Sequence, residues 1–109
     1  MHGRAHRELE LVPVETAAQV YAVAKLAEEI WLEHYPAIIG LAQTRYMLAH
    51  LQSPEAIAIH ISRGARYFLL AHGGEHVGYA AVELQPASST LFVSKLYLQR
   101  ALQIGRAHV

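Results

Sequence analysis

The sequence contains no cysteine. Disulfides and thiolate metal centres are therefore excluded, and the composition is compatible with the cytosol. A charge of dominant sign is missing as well. Lys+Arg and Asp+Glu number nine each, so no net field gathers nucleic acid or an anionic membrane. No apolar run approaches the length of a membrane-spanning helix, and the opening MHGRAHRELE has no apolar core of the signal-peptide kind. The expectation is a cytoplasmic protein with neither nucleic acid nor membrane as partner. Repeats, low-complexity segments and linkers are also absent. What is present is apolar. Hydrophobic residues make up 53% and charged residues 17%, which describes a packed core and not a disordered tail. At 109 residues that core belongs to one small domain or to a piece of a larger one.

Residues 1–7 are polar, with two histidines and a glycine, and read as a loose tail. Leu9, Leu11 and Val12 form a short strand that Pro13 ends. Thr16 and Gln19 make a capping box that opens a helix reaching Tyr35. Along it Val20, Val23, Ala24, Ala27, Ile30, Trp31 and His34 recur at helical spacing, and Pro36 stops it. A second helix is expected from Leu41 to Gln52, with Leu41, Leu48 and Leu51 inward. The third has Ser53 as N-cap, Pro54 at its first position, Glu55 in its first turn and Gly64 after its end. Three strands follow, over 66–71, 76–84 and 91–98, joined by turns at 72–75 and 86–89. The order predicts an α+β fold with an antiparallel meander. Ile30, Trp31, Ile57, Ile61, Phe68, Leu70 and Val82 are its expected interior.

Eight histidines raise the question of a metal. His72-Gly73-Gly74-Glu75-His76 matches the H-x-x-E-H string of some zinc peptidases, but that string needs a helix. Two adjacent glycines between apolar strands make a hairpin turn instead, and no metal is expected. Trp31 and Tyr35 read as core and helix-end packing. By alternation Lys95 shares a face with Val93 and Tyr97, where a structural pair with Glu83 is the simplest reading.

Thr90 to Arg100 reads TLFVSKLYLQR. Leu91, Phe92, Val93, Leu96, Tyr97 and Leu98 give it the apolar, aromatic and β-branched character of a strand buried on both faces. With WLEHYP at residues 31–36 and Val77-Gly78-Tyr79, this stretch resembles the GNAT acyl-CoA N-acetyltransferases over about Glu8 to Gln103. The resemblance implies the front half of that fold, truncated after its fourth strand. It implies acetyl-CoA as co-substrate, held by backbone near Leu96, Tyr97 and Leu98. Leu98 would meet the acetyl carbonyl, and Gln103 would open the pyrophosphate loop. It also implies that Glu28, Glu33 and His34 border the acceptor side. Glu83, late in the third strand, is the candidate for deprotonating the amine acceptor, which would be a small molecule or a peptide. The loop's glycines should fall at residues 106 and 108, where the chain has Arg106 and His108. Ile104-Gly105-Arg106-Ala107-His108-Val109 is what ATC GGA AGA GCA CAC GTC encodes, a string that looks like a sequencing-library adapter. Residues 104–109 are accordingly expected to be non-native and 8–103 a partial domain. The expected function is acetyl transfer to a primary amine by the intact protein, with a possible homodimer, and an inactive fragment. The alternatives are a non-catalytic acyl-CoA-binding or regulatory module, or a small interaction domain.

Overall fold

A computed structural model describes residues 9–85 and 87–99. The expected N-terminal tail, Gln103 and the expected non-native residues 104–109 lie outside the described residues. Element order is β1 (Leu9–Pro13), α1 (Ala17–His34), α2 (Pro36–Ile39), α3 (Leu41–Leu51), α4 (Pro54–Ser62), β2 (Arg66–His72), β3 (Glu75–Gln85) and β4 (Thr90–Leu98). All four strands form one antiparallel sheet in sequence order. The α+β architecture and the meander are as expected, and β1 joins the sheet beside β2.

Local chemistry sets the boundaries. The Gln19 amide donates to Thr16 Oγ1 at 3.2 Å and the Thr16 amide donates to Gln19 Oε1 at 3.0 Å, which completes the capping box. Ser53 accepts from the Ala56 amide at 3.1 Å to start α4. Gly73 and Gly74 both have positive φ, 61° and 86°, between paired His72 and Glu75. That is a two-residue hairpin turn which only such residues adopt without strain. The H-x-x-E-H string is thus a turn and not a helix.

The core lies between the helices and one face of the sheet. Val23, Leu26, Ala27, Ile30 and Trp31 of α1 and Ile57 of α4 are buried against Tyr67, Leu69, Tyr79 and Ala81. Each fully buried Val, Leu or Ile of this kind stabilises by about 1.5–3 kcal/mol. Ile30, Trp31, Ile57 and Leu70 are buried as expected, whereas Ile61, Phe68 and Val82 are half-buried. Phe68 and Val82 pair with Ala80 and Val93 on the sheet face turned away from the core. In α3 the expected inward Leu41 and Leu51 are exposed; the helix buries Thr44 instead, whose Oγ1 donates to the Gly40 carbonyl. The expectation that β4 is buried on both faces is also overturned. Among the described residues it is an edge strand, and Leu91 and Leu96 are 66% and 61% exposed. The apolar run recorded two apolar faces, but only one is covered here.

Candidate functional site

Pairing decides where the backbone of β4 points. Gly78 lies opposite Leu98 and Tyr79 opposite Tyr97, and the Gln99 amide donates to the Val77 carbonyl at 2.9 Å. Residues 97 and 99 therefore turn their amides and carbonyls toward β3. Leu96 and Leu98, one step out of phase, turn theirs to the outer side of the strand. Gly78 allows this close pairing. A Cβ there would overlap the Tyr97 carbonyl oxygen and lie 2.9 Å from Leu98 Cδ2.

Side chains of Tyr97 and Gln99 take the helix-facing side. The Tyr97 ring lies 5.8 Å from Trp31 and 5.3 Å from Tyr79, and Trp31 lies 4.9 Å from Tyr35. Behind them the Trp31 indole N–H donates to the Tyr79 hydroxyl at 3.2 Å, and that hydroxyl donates to Gln52 Oε1 at 3.0 Å. Burial pushes the Tyr97 hydroxyl up from its ordinary value, with Tyr35 adding to the effect. Beside this aromatic group, Gln99 Nε2 donates to Glu29 Oε1 at 3.4 Å. His34 is half-buried, and its Nε2 is buried without a hydrogen-bond partner among the described residues. Glu33 is exposed, and Glu28 lines a groove of about 620 Å³ with Lys25 and Arg45.

Glu83 lies elsewhere. It pairs with Phe92, five residues along β3 from the Gly78–Leu98 pair, or roughly 17 Å. There it lines a groove of about 390 Å³ with His60, Arg63 and Leu84. The structure thus brings Leu96, Tyr97 and Leu98 together and leaves Glu83 apart from them. Lys95, expected to pair with Glu83, instead donates to the Tyr67 hydroxyl at 2.8 Å. A bulge between Ala81 and Val82 shifts the register between them. The Tyr67 hydroxyl in turn lies 3.0 Å from His60 Nδ1. Burial, reinforced by Glu83, pushes Tyr67 up to about 12. Burial also draws Lys95 and His60 below their usual values, with Lys95 lowering His60 further.

Glu29 and Gln99 are the residues that the sequence did not single out. Their contact spans α1 and the end of β4, and neither helical period nor motif spacing reports it.

No protein-family model and no curated protein matches the chain. Solved structures do. One is the PaiA N-acetyltransferase from Thermoplasma acidophilum in complex with coenzyme A, at TM-score 0.69 and 14% identity, covering 86% of this chain and 60% of that one. Another is RimL, a ribosomal L7/L12 alpha-N-protein acetyltransferase in complex with coenzyme A, at TM-score 0.52 and 18% identity, covering 87% of this chain and 54% of that one. The chain spans little more than half the length of either. Its strand, helices and antiparallel sheet are the GNAT N-acetyltransferase fold over that part.

Proposed function

We propose that the intact protein moves an acetyl group from acetyl-CoA to a primary amine. The observation that carries this reading is the edge strand β4, whose Leu96 turns its backbone groups outward in a fold shared with two acetyltransferases that are in complex with coenzyme A. Outward amides suit an extended amide-bearing ligand laid along the strand, as in strand addition. In this reading backbone near Leu96, Tyr97 and Leu98 holds the pantetheine and acetyl groups, and the Leu98 amide polarises the thioester carbonyl. Gln103 would open the pyrophosphate loop. The amine, after losing a proton, attacks the carbonyl carbon. A C–N bond forms, the C–S bond breaks, and the departing thiolate takes up a proton.

The second reading is a module that binds acyl-CoA without catalysis, which a pyrophosphate loop lacking its glycines in a longer reading frame would favour; the 109-residue chain itself is expected to bind weakly and show no turnover. The test is an acetyl-CoA titration of the ¹⁵N-labelled chain at millimolar ligand. Amide shifts should centre on Leu96 and Leu98 and be lost in Leu98→Pro, which has no N–H to donate. Shifts that leave β4 untouched would sink the proposal. Amine acetylation by the product of a longer, uninterrupted reading frame would separate enzyme from binding module.

A further inference from the structure

We propose that the groove between α1 and α3 is a binding site for a small monocarboxylate with an apolar body, separate from the β4 edge and independent of acetyl transfer. The groove measures about 620 Å³, a volume that suits a small organic ligand. Every residue lining it lies between Tyr21 and Pro54 in the helical layer, and none comes from the sheet. Helical spacing brings its chemistry together. Lys25, Glu28 and Leu32 follow at three- and four-residue steps on α1, as Arg45, Leu48 and the C-cap residue Gln52 do on α3. These two stripes line one groove, and the small Ala24 and Ala49 leave room between them.

Gln52 points to a ligand. It is a polar side chain only 3% exposed, and it lines the groove. Its Oε1 is taken by the Tyr79 hydroxyl at 3.0 Å. Its Nε2 has no acceptor among the described residues, yet it is not sealed from solvent either, so its N–H groups open on the groove. Donors held in a buried side chain call for an acceptor. The charges then select which one. Among the described residues the charged ends of Lys25, Glu28 and Arg45 have no partner. Two cations and one carboxylate leave the groove one positive charge in excess, which a monoanion neutralises and a dianion overshoots. Carboxylate oxygens suit both an amide N–H and a guanidinium. An alkyl body has Leu32 and Leu48 to lie on. Occupancy is also felt beyond the groove. The Gln52 amide accepts from Tyr79, whose hydroxyl accepts the Trp31 indole N–H at 3.2 Å, and hydrogen-bonded groups polarise one another.

The experiment uses the ¹⁵N-labelled 109-residue chain. It is titrated with sodium butyrate against sodium chloride at matched ionic strength, with n-butanol, n-butylammonium chloride and disodium succinate as controls. The Gln52 side-chain amide and the Trp31 indole N–H should shift with butyrate and not with chloride, alcohol or amine. Succinate should bind no more tightly than butyrate. Lys25 and Arg45 are exposed, so both can be changed without disturbing the core. The Lys25→Gln/Arg45→Gln variant should weaken butyrate about tenfold, the scale of two exposed ion pairs. Glu28→Gln removes the repelling carboxylate and should tighten butyrate about threefold. Shifts that chloride reproduces, shifts that leave Gln52 untouched, or tighter binding of succinate would overturn the assignment. Unchanged butyrate affinity in the double variant, or weaker binding in Glu28→Gln, would do the same. Acetyl-CoA is read on Leu96 and Leu98 in separate samples, so either site can fail while the other stands.

Discussion

Tyr79 offers a sharp test of how the core is held. It is fully buried; its hydroxyl accepts the Trp31 indole N–H and donates to Gln52 Oε1, and the Gln52 side chain is itself buried. Tyr79→Phe keeps the ring and its contacts but leaves two buried polar groups without their partner. Each such orphan costs about 1–3 kcal/mol. Relief from burying the hydroxyl offsets part of this, so the net expectation is a loss of about 2–4 kcal/mol. For a domain of this size that lowers Tm by on the order of 10–20 °C. Urea unfolding followed by circular dichroism measures it, with fluorescence of Trp31, the sole tryptophan, as a second probe. A companion variant guards the logic. Adding Gln52→Leu to Tyr79→Phe removes one orphan, so the double variant should recover about 1 kcal/mol relative to the single. A Tyr79→Phe protein within about 0.5 kcal/mol of the parent would refute the relay.

Gly78→Ala should cost about 1–3 kcal/mol because the added methyl meets the Tyr97 carbonyl, a backbone atom that cannot rotate aside. Hydrogen exchange should then show lost protection of the Gln99 amide, which donates to Val77. His60, its pKa drawn below 6.5 by burial and by Lys95, binds its proton less readily when folded than unfolded. Stability should therefore be flat above about pH 6.5 and fall as pH drops through the folded value, and His60→Gln should flatten the urea midpoint across that window. Tyr67, pushed up to about 12, should ionise above the ordinary tyrosine range in an absorbance titration, and Tyr67→Phe should remove that late step. Finally, the chain should self-associate through the bare sheet face. A Leu91→Ser/Val93→Ser/Leu96→Ser variant should sediment as a smaller species, and a parent that is monomeric throughout would end that expectation.

Much of the fold was legible because local chemistry and period agree along this chain. Thr16 and Gln19, Ser53 and Pro54, and the Gly73-Gly74 pair are local devices, and each stands where its residue types require. Inward positions were harder. Phe68 is an expected interior residue, yet in β2 it is Tyr67 and Leu69 that face the helices, and Phe68 faces away. Both faces of β2 are apolar, so composition cannot say which one the helices cover. In α3 the leucines lost to Thr44 because the helix meets its neighbours along a stripe that includes Thr44 and Leu48 and misses Leu41 and Leu51.

The candidate site was legible to a lesser degree, for a reason that lies in the sheet itself. A strand motif can mark Leu96, Tyr97 and Leu98, but which of their amides point outward depends on the pairing phase with β3. One register step would exchange Leu98 for Tyr97. Gly78 fixes that phase locally, since a larger residue could not face Leu98 so closely. The bulge at Ala81 and Val82 then breaks simple alternation farther along. Counting by twos from Tyr97 carries Lys95 correctly to the helix face, but beyond the bulge it assigns Val93 to the face that Phe92 occupies instead. For the same reason Lys95 finds Tyr67 and not Glu83. Chemistry that depends on which residues meet across strands and helices, as Glu29 meets Gln99 across a separation of 70 residues, is written in the register and not in any local pattern.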